Sequence, residues 1–93
     1  MNRLILRAQL VQRGAVRYTP AGLPALDLSL KHESEVNEAG LPRKVSMEMR
    51  AVAIGEITGQ LAALAIGTQV DCAGFLSSHR NGRGIVFHIT QIH

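Results

Sequence analysis

The chain has 93 residues, of which 46% are hydrophobic and 18% charged, and ten Lys or Arg against seven Asp or Glu give a formal charge of +3. This length predicts one small domain over residues 1–93, with a core that is marginal in size. The small basic excess permits an anionic partner without requiring one.

The sequence contains no apolar run long enough to span a membrane. Arg3 and Arg7 also interrupt the apolar N-terminal stretch. We therefore expect no membrane span, no signal peptide and no membrane partner, and a cytoplasmic protein. The single cysteine, Cys72, cannot form a disulfide within the chain, and it shares the alternation phase of Val70. This pattern predicts a small buried side chain in a reducing compartment.

The segment "RLILRAQLVQ", residues 3–12, is predicted as the first strand, with apolar residues on both alternation phases. A strand of this kind is covered on both sides by a barrel or by a partner. Because the core of so small a chain is marginal, we expect a homodimer, with the first strand or its neighbours at the seam. The next segment, residues 13–24, is rich in proline and glycine and is predicted as a connection.

The segment "ALDLSLKHES", residues 25–34, alternates cleanly and predicts a second strand with one face in water. Gly40 and Pro42 stand among charges in residues 35–44, which predicts a loop. "KVSMEMRAVAIG" then predicts a third strand. Its apolar phase shifts towards Val52, which predicts a bulge or bend near Arg50.

The segment "EITGQLAALAIG", residues 56–67, has room for at most two helical turns between Gly59 and Gly67, so we predict a short helix or an irregular link. "TQVDCAGFLSSH" and "GIVFHITQI" are predicted as the fourth and fifth strands. The pair Asn81-Gly82 between them predicts a hairpin, because both residues accept the positive φ angles of a type I′ turn.

Five short strands, with at most one short helix between the third and fourth, predict an all-β domain built as a five-stranded OB-fold barrel. An SH3-like barrel is the structural alternative, and it is less favoured because such domains are usually smaller. This assignment decides where a ligand would bind.

The sequence does not favour catalysis. It contains no Ser/His/Asp spacing, no glycine-rich phosphate loop and no paired Cys or His at ligand spacing, so we expect neither an enzyme nor a cofactor. His79, His88 and His93 could meet across the last hairpin as a metal site. They lack the spacing of known histidine ligand sets, and an interpretation as surface residues is favoured.

Binding is the remaining function class. OB barrels bind oligonucleotides on the second and third strands, and against the loops that join strands one to two and four to five. In this sequence those segments carry basic side chains, although arginines that merely keep loops soluble stay an alternative. The predicted nucleic-acid-binding residues are Arg13, Arg17, Tyr18, Arg43, Lys44, Arg50, Arg80 and Arg83.

The three aromatic residues are Tyr18, Phe75 and Phe87. Phe87 follows the phase of Ile85 and Ile89 and is predicted to lie in the core, and Phe75 is also expected in the barrel interior. Tyr18 is therefore the favoured candidate for stacking on a base. With one such ring, contact with single strands would be mostly electrostatic, unspecific in sequence and sensitive to salt.

Several short patterns occur in a characteristic order: "NRLIL", Pro20-x-Gly22-x-Pro24, Leu30-x-His32-x-Ser34, "GF" at 74–75 and a final His88-x-x-Gln91-Ile92. In order and spacing they resemble the PriB family (primosomal replication protein N) over nearly the whole chain. Residues 16–22, "VRYTPAG", are also similar to bacterial single-stranded DNA-binding protein.

The resemblance implies a homodimeric OB-fold accessory protein of replication restart. Such a protein binds single-stranded DNA, stabilises the PriA helicase on DNA and hands over to DnaT. It implies DNA contacts at Arg17, Lys44, Arg80 and Arg83. Where the family has a stacking aromatic on the third strand, this chain has Ser46 and Met47. A protein-interaction adaptor with vestigial nucleic-acid binding is therefore the alternative function.

Overall fold

The computed structural model describes residues 1–79 and 82–93. Where the strands form the barrel they follow the alternating apolar pattern of the sequence, and one short helix is present. The strands are β1 (Leu4–Arg13), β2 (Arg17–Tyr18), β3 (Pro24–Glu38), β4 (Leu41–Ile54), β5 (Gln69–Ser78) and β6 (Ile85–Ile92), and the helix is α1 (Ile57–Ala62). Over these two described ranges, the helical segment is too short and too polar to cross a bilayer.

The five long strands close into a barrel. β1 pairs with β3 and β5, β3 with β4, and β5 with β6, all antiparallel. A parallel pair, β4 with β6, completes the ring. The two-residue β2 adds only to the start of β3. This is the predicted five-stranded barrel, with α1 between the predicted third and fourth strands.

The core fills the barrel because one phase of each strand points inward. On β3 the inward residues are Leu26, Leu28 and Leu30, and all three are buried. β6 contributes Phe87 and Ile89, and α1 and β5 close the cluster with Ile57, Leu61, Val70 and Cys72. Burial of one such leucine or phenylalanine contributes about 1.5–3 kcal/mol to folding.

The region from residue 35 to residue 44 is not a loop. β3 and β4 pair without interruption from Ala25 opposite Ile54 to Glu38 opposite Leu41, so both strands continue well beyond the barrel. Between them only two residues turn the chain, Ala39 and Gly40, and both have positive φ angles as a type I′ turn requires. The prediction was wrong because strands exposed on both faces have the polar composition of a loop.

The bulge expected near Arg50 is also absent, since the ladder of β3 and β4 runs past it in constant register. Ala51 and Ala53 continue the inward phase of Met49, and their small size hid that phase in the sequence. The irregularities lie in other strands instead. β1 shifts register between Leu10 and Gln12 where it meets β3, and the β5–β6 ladder shifts between Ala73 and Gly74.

Candidate nucleic-acid interface

An open groove of about 750 Å³ crosses the outer face of β3, β4 and β6. Ser29 and Arg50 lie on its floor as opposite members of the β3–β4 ladder, and His88 extends the floor onto β6. One wall is the segment from Gln12 to Thr19, and the other is the end of β5 near His79. β3 and β4 are the second and third barrel strands, and these strands with the two bordering loops are where OB barrels hold oligonucleotides.

Arg17 reaches the groove from β2. Its Nε and Nη2 donate to the two carboxylate oxygens of Asp27 on β3, at 3.0 and 3.1 Å. This paired hydrogen bond raises the pKa of the Arg17 guanidinium above its usual value. The cation is therefore fixed in orientation, but a phosphate that approached it would compete with Asp27.

Arg50 is the exposed cation on the groove floor. Its Nη1 lies 3.4 Å from Nε2 of His79, which accepts the hydrogen bond in its neutral form. In the barrel register Arg50 stands beside Val86 of β6. A nucleic-acid strand lying along the groove would pass directly over this guanidinium.

The hairpin places its other two predicted cations on opposite faces. Lys44 shares the outer face of Arg50 but lies farther from the barrel, opposite Glu35. Arg43 is on the other face, and its Nε forms an ion pair of 2.6 Å with Glu38. The two neighbours therefore cannot serve the same surface.

Arg13 and Tyr18 lie outside the groove lining. The Arg13 guanidinium donates to the carbonyl oxygens of Leu61 and Leu64, which satisfies the end of α1. Tyr18 is 71% exposed and follows Arg17 on a two-residue strand, so its side chain points to the opposite side.

The β5–β6 connection contains the two remaining predicted sites. Arg83 is exposed within it, while Arg80 lies outside the described residues, as does Asn81 of the predicted turn. The backbone N–H of His79 donates to the carbonyl of Gly84 at 3.0 Å. Among the predicted sites in residues 1–79 and 82–93, the groove thus brings together Arg17 and Arg50.

Phe75 does not lie inside the barrel, where the sequence predicts it. Its side chain is 38% exposed on the outer face of β5 and stacks on the ring of His88, with centroids 4.6 Å apart and planes 10° from parallel. The inward phase of this strand belongs to Val70, Cys72 and Leu76. That phase alone would have placed Phe75 outside.

Cys72 confirms the predicted buried thiol, since it is fully buried. Burial raises its pKa to about 11, and the neighbouring Asp71 carboxylate adds to the shift. The thiol is therefore protonated and unreactive at neutral pH. Within the described parts of the chain, no group of His, Cys, Asp or Glu side chains is arranged to hold a metal ion.

Comparison with known sequences gives consistent matches. The profile of a family described as "another single-strand binding protein family" matches residues 2–91. Replication restart protein PriB of Bordetella pertussis is 51% identical over 92 residues, which cover 98% of this chain and 86% of that protein. The PriB of Nitrosomonas europaea is 32% identical over 89 residues, covering 95% of this chain and 82% of that protein.

Known structures match over the entire chain. PriB from Ralstonia solanacearum superposes with a TM-score of 0.92 at 39% identity, covering 100% of this chain and 96% of that one. The single-stranded DNA-binding protein of Thermus aquaticus gives a TM-score of 0.76 at 26% identity, with 100% of this chain matched to 49% of that one. The barrel and its hairpin are therefore shared with both.

Proposed function

The chain belongs to the PriB family of single-strand-binding-like OB-fold proteins, and from this premise we propose that it binds single-stranded DNA in its groove during replication restart. It acts as a cytoplasmic accessory protein without catalysis of its own. The observation that carries the proposal is the groove across β3, β4 and β6, in which Arg17 and Arg50 meet.

The chemistry of this groove suits a flexible polyanion. Its cations stand on both its wall and its floor, and two loops border it, so that phosphates can be contacted along a path and not at a point. Such contacts release counterions, and affinity therefore falls steeply as salt rises. Because these contacts are made to phosphates and not to base edges, the binding is unspecific in sequence.

The test is fluorescence anisotropy with a labelled thymidine oligonucleotide at several salt concentrations. We expect Arg50→Glu to lower affinity about tenfold or more at low salt and to reduce the salt slope by about one unit or less. Arg43→Glu is the matched control, because it makes the same charge change on the same strand but on the opposite face.

Equal losses in the two variants would mean that only net charge matters and that the groove is not the site. Unaltered binding by Arg50→Glu would refute the groove directly. The family resemblance also implies contacts by Lys44, Arg80 and Arg83. Charge reversal of Arg17 together with Arg83 extends the test from the groove to the bordering loops.

Within the restart machinery, the proposed role is to stabilise the PriA helicase on DNA and to help pass the complex on to DnaT. Its support is that the relatives carry the name replication restart protein PriB. A helicase assay with and without this protein measures the effect, and a groove variant such as Arg50→Glu should reduce it in proportion to lost DNA binding.

A protein-interaction adaptor is the second candidate function. The observation in its favour is the hairpin beyond the barrel, where Val36, Leu41 and Met47 are exposed on one face. If the wild-type protein shows no preference for single strands at low salt and still alters unwinding by the helicase, the adaptor function is correct and the DNA-binding proposal is not.

The homodimer is proposed to form at the free edge of β1. Residues 4–8 pair with β5 on one side, and across the described ranges no strand pairs with their other side. There the His32 ring donates from Nδ1 to the Arg7 carbonyl at 2.6 Å and accepts at Nε2 from Ser34. The edge thus lacks a strand partner, although the Arg7 carbonyl already has a side-chain partner, and beside the exposed Ile5 it is a template for a second copy.

Light scattering behind size-exclusion chromatography tests the homodimer. A doubled mass for the wild type and a single mass for Ile5→Lys would support the β1 edge. A monomeric wild type at high concentration would exclude the dimer.

A further inference from the structure

Phe75 and His88 form an aromatic pair on the outer face of β5 and β6, and the pair is partly open to solvent. The ring of Phe75 stacks on His88, and more than a third of the phenylalanine remains exposed. An exposed aromatic ring lacks the favourable burial that a core position would provide. Exposure is, however, what a base-stacking surface requires.

The backbone fixes this pair. Phe75 and His88 are directly opposite in the β5–β6 ladder, so their side chains leave the sheet on the same face. The preceding residue, Gly74, allows the two strands to approach closely, since a Cβ there would lie 1.7 Å from the carbonyl oxygen of His88. The rings therefore lie on a strand pair whose close approach at this point depends on glycine at position 74.

The pair also continues the groove. His88 lines the groove and stands beside Val52 of β4 in the parallel ladder, while Phe75 occupies the next strand outward. The outer face thus passes from the cation of Arg50, across β6, to the ring of Phe75. Two strand spacings, about 10 Å, separate β4, which holds Arg50, from β5, which holds Phe75.

We propose that Phe75, one face of which is stacked on His88, is a stacking platform for a nucleobase of the bound strand. This rests on the proposed single-strand binding in the groove and assigns a base contact to it. The platform takes over the role for which the third predicted strand offers only Ser46 and Met47. It is tolerant of sequence, because every base has a stacking face.

The chain contains no tryptophan, so Phe75→Trp introduces a single fluorescent reporter at the platform. We expect a thymidine oligonucleotide to quench its emission, while an abasic strand of the same length binds without quenching. Phe75→Leu keeps the apolar packing and removes the ring, and it should lower affinity for the thymidine strand about fivefold or more. Its affinity for the abasic strand should stay unchanged.

The outcomes separate the two proposals. If the wild type fails to bind the thymidine strand at low salt, the groove function itself fails. If the wild type binds but Phe75→Leu binds equally well and Phe75→Trp is not quenched, the platform alone is wrong. A blue shift of the tryptophan emission with rising protein concentration, in the absence of DNA, would also overturn it, because a second copy would then cover the ring.

Discussion

The two halves of the β3–β4 hairpin are one continuous ladder with two different environments. In the barrel half, residues 24–31 and 48–54, Leu26 and Leu30 are completely buried. In the distal half, residues 32–47, Val36 and its neighbours are exposed. The comparison shows that backbone pairing and a tight turn are enough to continue two strands, whereas the core stabilises only the half that it covers.

The outer faces of the two halves differ in charge as well. The barrel half presents Arg50 to the groove, but in the distal half, residues 32–47, Lys44 shares its face with Glu33 and Glu35. The local balance there is acidic and repels phosphate. We therefore expect a bound strand to follow the barrel half and to leave the hairpin before its tip.

The largest contrast should appear in thiol reactivity. Cys72 in the barrel interior is buried with a pKa of about 11, whereas a cysteine introduced by Val36→Cys would stand in water. At mildly alkaline pH we expect the distal thiol to react with an alkylating reagent at least about 100-fold faster. Mass spectrometry of each labelled cysteine gives the two rates, and similar rates would show that the barrel opens as readily as the hairpin.

Cys72 also sets a pH dependence. Its folded pKa is raised above the usual 9.0, so folding favours the protonated thiol. This contribution to stability is complete below the unfolded pKa and is lost as the pH rises through about 11. Cys72→Ala should therefore have a flatter stability profile than the wild type between these two values, measured by urea unfolding at each pH.

The second contrast is in stability. Leu30→Ala removes a fully buried side chain from the barrel half and should reduce the free energy of unfolding by about 2–5 kcal/mol. Val36→Ala in the distal half should change it by about 0.5 kcal/mol or less. Urea denaturation of both variants measures the difference, and equal losses would contradict the division of the hairpin into covered and uncovered halves.

The third contrast tests which part of the hairpin the proposed DNA strand contacts. Lys44→Glu should weaken oligonucleotide binding by about twofold or less, far below the effect expected for Arg50→Glu, because acidic residues already surround Lys44. Anisotropy titrations at one low salt concentration compare the two. A loss at Lys44 as large as that at Arg50 would extend the site to the hairpin tip.

The smallest effect is expected at Asp27, which holds Arg17 in the groove. Asp27→Asn keeps a hydrogen-bonding side chain and removes the carboxylate that competes with phosphate, so affinity should rise by about two- to threefold. The same titration measures it. A fall in affinity would mean that Asp27 is needed to orient Arg17 and does not merely compete.

The barrel itself could be predicted from the sequence, because alternation on residues such as Leu26, Leu28 and Leu30 reports directly which face is buried. The distal hairpin could not, since a strand exposed on both faces leaves no alternating pattern to detect. For the same reason Gly40 and Pro42 indicate a loop in the sequence, although Gly40 belongs to the two-residue turn and Pro42 stands opposite Asn37 in the ladder.

For the candidate site, the sequence predicted the right segments more often than the right side chains. Arg17 and Arg50 do meet in one groove, but Arg43 is turned away by the period of two in its strand, and Arg13 serves the end of α1. Whether a basic side chain already has a partner depends on contacts between distant segments, and the sequence alone does not contain them.

The uninterrupted hairpin also has a consequence for the order of folding. Its pairs are local and close across a two-residue turn, whereas the β1–β5 and β4–β6 pairs join segments far apart in the chain and cost more loop entropy. We expect the hairpin to form first and the barrel to close upon it. Val36→Gly should then slow refolding in stopped-flow experiments more than it speeds unfolding. The half that contributes least to equilibrium stability would thus set the register in which the core assembles.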